Sequence, residues 1–240
     1  MSDWLSRTEL LLGVDGLDRL KTSNILVVGL GGVGAYAAEM ICRAGVGKMT
    51  IVDGDKVHAS NRNRQLLALK STEGLVKAMI MAERLRDINP ELELTVINEY
   101  IRDERMTEIL NLNFNYIVDA IDTLSPKVFL IYHSVMKKIP VVSSMGAGGK
   151  FDPLIISVGD ISETTDCTLA RILRKRLHHL GIREGVTAVY SPEVIDKSKI
   201  VPAVGEPNKA SVVGTMSYMP AAFGIACASV VIRDLAGIPR

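Results

Sequence analysis

The sequence predicts an α/β fold: a Rossmann-like, doubly wound and mainly parallel sheet with helices and a small C-terminal antiparallel extension. Three observations predict it. The β-branched run Ile25-Leu26-Val27-Val28 leads directly into Gly29-Leu30-Gly31-Gly32-Val33-Gly34, so a strand feeds a G-x-G-x-x-G turn and then a helix. Strand and helix signals then alternate as far as about residue 149. A 48% hydrophobic content over 240 residues supplies a core large enough for such a sheet.

Residues Glu9 to Leu20 read as an amphipathic helix pair broken at Gly13 or Gly16, leading into the first strand. In the turn, Gly29 allows a sharp bend, Gly31 lets backbone approach a phosphate, and Gly34 lets the helix from Ala35 to Arg43 pack closely on the strand. The second strand, Lys48 to Val52, ends in Asp53, close to the separation at which an acidic residue meets a ribose hydroxyl. A polar loop with arginines follows, from Gly54 to Gln65, which a dehydrogenase would not need. Ser71 or Thr72 can cap a helix that carries Lys77 and runs to Ile88, where Asn89-Pro90 stops it.

Alternation from Leu92 to Ile97 predicts a half-buried strand, and Glu104 to Leu112 a helix. The strand Tyr116 to Val118 places Asp119 and Asp122 just beyond its carboxyl end, where open parallel sheets hold ligands. Ser125-Pro126 starts a helix ending near Lys138, and Pro140 to Ser144 is the next strand. After Gly146-Ala147-Gly148-Gly149 the pattern changes to strands at Leu154 to Val158 and Val186 to Tyr190 with a helix, Cys167 to Leu180, between them. Ser191 to Lys209 reads as a long loop without an evident core anchor. The expected organisation is one domain, 1–240, with a nucleotide-binding core at 1–149 and a substrate- and dimer-side extension at 150–240.

Composition excludes several classes. Lys and Arg number 28 against 27 Asp and Glu, so any nucleic-acid surface must be a local patch. Three scattered cysteines, Cys42, Cys167 and Cys227, argue for a reducing compartment and against a disulfide framework or an all-cysteine zinc site. The first residues lack the pattern of a secretory signal, so a cytoplasmic location is expected. Ala210 to Ile232 carries no charge and is long enough for a membrane span. Its Gly214, Pro220 and Gly224 and its small residues favour instead a buried core or subunit-interface helix from about Pro220 to Leu235.

Taken singly, Arg64 reads equally as a surface cation, Lys77 as a solvated helix position and Asp122 as an N-terminal helix ligand. In order, however, Gly29 to Gly34, Asp53-Gly54-Asp55, Ser60-Asn61-Arg62-Asn63-Arg64-Gln65, Lys77 and Asp119-Ala120-Ile121-Asp122-Thr123 resemble the ubiquitin-activating (E1-like; ThiF- and MoeB-like) adenylating superfamily. That resemblance runs from Arg7 to about Gly149 and returns in the last helix. It implies ATP and Mg²⁺ as cofactors. Gly29, Gly31, Gly32, Gly34, Asp53, Asp55, Asn61 and Gln65 would bind the nucleotide, with Asp53 on the ribose. Arg64, Lys77 and Asp122 would be catalytic, the first two at the phosphates and Asp122 holding the metal. The resemblance also implies that Arg7 reaches into a partner's site as an arginine finger, which calls for a homodimer. Trp4 and Leu5 stand where relatives carry an Arg-aromatic pair.

Within the superfamily, sulfur-carrier adenylyltransferases usually hold zinc with two C-x-x-C pairs, which this chain cannot build. Leu10 to Gly13, Ser143 to Lys150, Leu169 to Leu177, Val186 to Ser191 and Gly214 to Gly224 look instead like the tRNA threonylcarbamoyladenosine dehydratase group. That implies ATP-dependent cyclisation of N6-threonylcarbamoyladenosine at position 37 of tRNA through carboxylate adenylation. It leaves as alternatives activation of a ubiquitin-like or sulfur-carrier protein, and a sulfur-transfer protein as a partner. Arg171, Arg174, Lys175 and Arg176 would then suit phosphates of the anticodon stem-loop, or form a solvated helix face. Cys167, in Asp166-Cys167-Thr168-Leu169, resembles an acceptor cysteine but reads better as a helix-start residue without chemistry, because intramolecular closure needs no thioester.

Overall fold

The computed structural model describes residues 3–202 and 211–239. Its strands are β1 (Asn24–Val28), β2 (Lys48–Val52), β3 (Glu93–Ile97), β4 (Tyr116–Asp119), β5 (Val141–Ser144), β6 (Ser157–Asp160) and β7 (Thr187–Tyr190), which form a seven-stranded sheet in the order β3-β2-β1-β4-β5-β7-β6. A separate hairpin pairs β8 (Ile200–Pro202) with β9 (Ser211–Val213). All pairs in the large sheet are parallel except β6 with β7. The mainly parallel doubly wound sheet is therefore as the sequence predicts.

Side chains of β1 divide between two cores because successive residues face opposite ways. Ile25 and Val27 pack with α2 (Gly34–Arg43), α3 (Lys77–Ile88) and α7 (Tyr218–Ala236). Leu26 and Val28 pack with α4 (Asp103–Ile109), α5 (Leu124–Met136) and α6 (Thr168–His179). α1 (Ser6–Thr22) lies against α7 and breaks at Gly13, where φ is 72° and ψ 169°.

Several boundaries differ from the sequence reading for local reasons. Ser71 and Thr72 do not cap a helix: residues 70–72 form a short turn, Thr72 Oγ1 donates back to Leu67 O at 2.6 Å, and Gly74 at φ +84° separates that turn from α3. α5 begins at Leu124 after Thr123, so Ser125 and Pro126 occupy its first turn. The strand expected at 154–158 starts later, at Ser157, because Asp152 accepts from Leu154 N–H and folds 153–155 into a turn. The expected antiparallel extension is present as β6 on β7 and as the β8–β9 hairpin, and β7 joins it directly to β5. The loop from 191 is anchored: buried Lys150 donates to Ser191 O at 2.9 Å and Glu193 O at 2.7 Å, and part of it is the β8–β9 hairpin. Residues 203–209 of that loop lie outside the described residues.

α7 is the one helix, among the described residues, long and apolar enough by length and composition to cross a membrane, and half of that apolar window is buried in the protein. Its small residues have a packing purpose. A Cβ on Gly224 would stand 2.4 Å from Val33 O, and one on Gly32 2.8 Å from Pro220 Cβ. The helix thus presses against the start of α2 and the glycine turn.

The tightest approach is at Gly34, where a Cβ would stand 1.7 Å from Gly29 O. Backbone cannot yield there as a flexible side chain would. Gly34→Ala is expected to destabilise the fold by about 3 kcal/mol or more, at the upper end of overpacking costs, as measured by urea denaturation.

Candidate active site

The strand order reverses between β1 and β4, and in open α/β folds such a switch point opens a crevice for ligands at the carboxyl ends of the strands. Gly29 (φ +90°) makes the turn leaving β1; a Cβ there would stand 2.7 Å from Ala120 O, in the loop leaving β4. From β2, Asp53 reaches across to this turn. Its Oδ2 accepts from Leu30 N–H at 2.6 Å and its Oδ1 from Asp55 N–H at 2.7 Å, so one carboxylate braces both loops. Burial raises the Asp53 carboxyl above its ordinary value, opposed by the Lys77 ammonium and those two N–H groups.

Lys77, the first residue of α3, is 4% exposed and pairs through Nζ with Asp55 Oδ2 at 3.1 Å. It is no solvated helix position. Tyr100, just after β3, donates its hydroxyl to Asp55 Oδ1 and lays its ring on Gly54. That hydrogen bond, together with burial and the nearby charges of Asp55, Asp53 and Asp122, pushes the phenol up to about 12. Asp53, Asp55 and Asp122 thus all act on one phenol, although among the described residues no group of three or more His, Cys, Asp or Glu side chains stands close enough to hold a metal ion.

Asp119 corrects the expectation of two carboxylates beyond the strand. It is the last residue of β4 and fully buried, with Lys127 Nζ 2.8 Å from Oδ2; Lys127 is equally inaccessible. Ser143 Oγ donates to the same oxygen at 2.7 Å and Ile121 N–H to Oδ1 at 3.1 Å. Lys127 also donates to Ile121 O at 3.1 Å. These bonds shape the loop that carries exposed Asp122. Sequence reasoning missed Lys127 and Lys150; an isolated lysine inside an otherwise apolar helix run was the one signal available for the first.

Asn61 is 8% exposed and accepts from His58 N–H through Oδ1 at 3.2 Å, while its carbonyl accepts from Arg64 and Gln65 N–H at 3.1 and 2.9 Å. Its side-chain carbonyl thus organises the arginine loop. Arg64 donates to Ser60 O at 2.9 Å and Asn63 Oδ1 at 2.8 Å. Gln65 Nε2 would lie 3.8 Å from a Cβ on Gly31, and Gln65 Oε1 is buried with no hydrogen-bond partner among the described residues. An orphaned acceptor beside an open glycine turn fits a bound nucleotide better than empty packing, because a buried unpaired carbonyl costs free energy.

The other predicted residues lie further out. Arg7 is exposed in the first turn of α1. On α6, Arg171, Lys175 and Arg176 are exposed and line a shallow surface pocket with Ile172 and His179. Arg176 donates to Ser125 Oγ at 3.2 Å, which sets this basic face beside the first turn of α5, close in sequence to Asp122. Arg174 is different: its guanidinium donates to Thr164 O at 2.6 Å, to Thr164 Oγ1 and to Ile161 O, and so holds the 161–164 turn. Cys167 precedes α6 and is 6% exposed, which leaves little thiol surface for an acyl group.

Residues 5–240 match the sequence profile of the ThiF family. The chain belongs to that family. A Bacillus subtilis ThiF-family relative, tRNA threonylcarbamoyladenosine dehydratase, is 36% identical over 96% of this chain and 93% of its own. The Escherichia coli K12 protein of the same name is 40% identical over 78% of this chain and 73% of its own. The crystal structure of E. coli tRNA N6-threonylcarbamoyladenosine dehydratase, TcdA, in complex with ATP superposes with a TM-score of 0.88 at 35% identity, covering 99% of this chain and 96% of that one. The likeness thus spans the crevice and the C-terminal part of the chain alike.

The buried Asp119–Lys127 pair gives a test of how the crevice is held. Lys127→Met leaves a charged carboxylate buried without its cation and is expected to cost about 3–5 kcal/mol. Asp119→Asn in the same chain should recover a large part of that loss, and urea denaturation of the single and double variants measures both.

Proposed function

We propose that this protein is an ATP-dependent tRNA threonylcarbamoyladenosine dehydratase that cyclises N6-threonylcarbamoyladenosine at position 37. The observation that carries the reading is the end-to-end likeness to the ATP-bound dehydratase, at a TM-score of 0.88 over 99% of this chain. The crevice chemistry supports it. A threonine carboxylate oxygen attacks the α-phosphorus of ATP and pyrophosphate leaves, so catalysis requires positive charge and N–H donors where negative charge builds up. Arg64 and Lys77 supply charge and the Gly31 to Gly34 turn supplies backbone, while Asp53 faces the ribose and braces that turn. The carbamoyl group of the same nucleoside then closes a five-membered ring and AMP departs. Closure is intramolecular, so orientation supplies much of the rate.

A magnesium ion held by Asp122 would share positive charge between phosphate oxygens. Asp55 is engaged by Lys77 and Tyr100. The exposed α6 cations Arg171, Lys175 and Arg176 would bind phosphates of the anticodon stem-loop, and Arg7 would complete the site of a partner subunit in a homodimer. Activation of a carrier protein is the weaker reading, since the relatives that match most of this chain are tRNA threonylcarbamoyladenosine dehydratases. A cytoplasmic location follows from the tRNA substrate.

The test is mass spectrometry of nucleosides from tRNA incubated with enzyme and ATP, which should show loss of one water from threonylcarbamoyladenosine. Asp122→Asn should keep the fold and lower turnover by about 100-fold or more, with Mg²⁺ dependence lost or shifted. Unchanged turnover and metal dependence would remove Asp122 from the site. Arg171→Glu with Lys175→Glu should weaken tRNA binding most at low salt and lower the slope of log affinity against log salt by about 2. Arg174 is left intact in that variant because it holds the 161–164 turn.

A further inference from the structure

Arg64 is partly exposed on a polar loop whose backbone lies against the glycine turn, its carbonyl 3.4 Å from where a Cβ on Gly32 would stand, so its guanidinium needs fixed acceptors to be useful at the moment of reaction. One is the Ser60 carbonyl and the other is Asn63 Oδ1, at 2.8 Å. Asn63 also uses the other end of its amide: Nδ2 donates to Thr215 O at 3.1 Å, across 152 residues of sequence. Chemistry fixes which end is which. An arginine can only donate and a carbonyl can only accept, so the amide has a single orientation that serves both.

The acceptor at Thr215 is itself held in place. Thr215 Oγ1 donates to Val213 O at 2.9 Å, Gly149 N–H to Gly214 O at 2.7 Å and Gly214 N–H to Lys199 O at 2.9 Å. Gly148 and Gly149 let the β8–β9 hairpin sit this close, since a Cβ on Gly148 would stand 3.1 Å from Val213 and Thr215, and one on Gly149 2.6 Å from Ile195. Lys150 then ties the far side of the same turn to Ser191 and Glu193 carbonyls. A continuous set of hydrogen bonds therefore runs from the hairpin to Arg64, and the Asn63 side chain is its link on the arginine side.

We propose that Asn63 is a positioning residue that couples the β8–β9 hairpin to Arg64, so that the guanidinium is set for adenylation when the hairpin is seated. The proposal rests on the nucleotide-site reading above and adds a regulatory link to it. Asn63 need not touch ATP. Linkage requires the coupling to work in both directions: a nucleotide that engages Arg64 must also steady the hairpin.

Two substitutions separate the parts. Asn63→Asp keeps an acceptor for Arg64 but sets a carboxylate against the Thr215 carbonyl, whereas Asn63→Ala removes both contacts. Amide hydrogen exchange of peptides covering 211–217 with and without ATP reads the coupling without any tRNA. In the parent, ATP should slow this exchange about 5-fold or more, and in both variants the slowing should disappear. With tRNA, both variants should lose about 10- to 100-fold in kcat for cyclisation, with thermal midpoint and ATP affinity close to the parent's. Equal ATP protection of the hairpin in parent and Asn63→Asp, or parental kcat in Asn63→Asp, would overturn the proposal. A parent that protects its hairpin on ATP binding but leaves the tRNA nucleoside unchanged would uphold the coupling and overturn the substrate reading instead.

Discussion

The carboxylate of Asp119 is the constraint on which the crevice depends. A charge fully removed from water is tolerable only if its lone pairs are filled, and here Lys127, Ser143 and Ile121 N–H fill them from α5, β5 and the loop leaving β4. The same lysine also donates to the loop's own carbonyl at Ile121 and so fixes the path of residues 120–122. That path brings Ala120 O to where Gly29 must lack a side chain. The glycine turn of β1 and the carboxylate loop of β4 are therefore built against each other, and a ligand in the crevice meets both at once.

The remaining site groups divide into braced and adjustable ones. Asp53 spends one lone pair on each loop, and a carboxylate has about four such sites, so capacity remains for a ribose hydroxyl. Lys77 is buried against Asp55 and Tyr100 closes over Asp55 from the other side, which holds this charge pair rigid. Asp122 is exposed and Arg64 partly so. The guanidinium of Arg64 is held by Ser60 and Asn63 rather than by burial.

The C-terminal part is not a separate layer. β7 extends the main sheet from β5, α6 lies beside α5, and α7 presses its glycine and alanine face on α2. This arrangement brings an exposed basic helix face to the same end of α5 as the carboxylate loop. It also explains an uncharged stretch of membrane-like composition: close approach to Val33 and Tyr36 requires small residues at those points.

By itself the sequence determined the alternation of strands and helices, the glycine turn and the strand ends at Val28 and Val52, because these follow from local periodicity and from backbone requirements that only glycine meets. It did not determine partners distant in the chain. Asp119 read as a ligand-facing carboxylate because its neutralising lysine lies on the next helix, and only packing shows that Lys127 turns inward. Arg174 read as one of four equivalent cations until the fold set it against Thr164. The start of α3, the anchoring of the loop after Ser191 by Lys150 and the bond from Asn63 to Thr215 were likewise decided by tertiary structure, since each depends on hydrogen bonds between segments whose proximity no local pattern encodes.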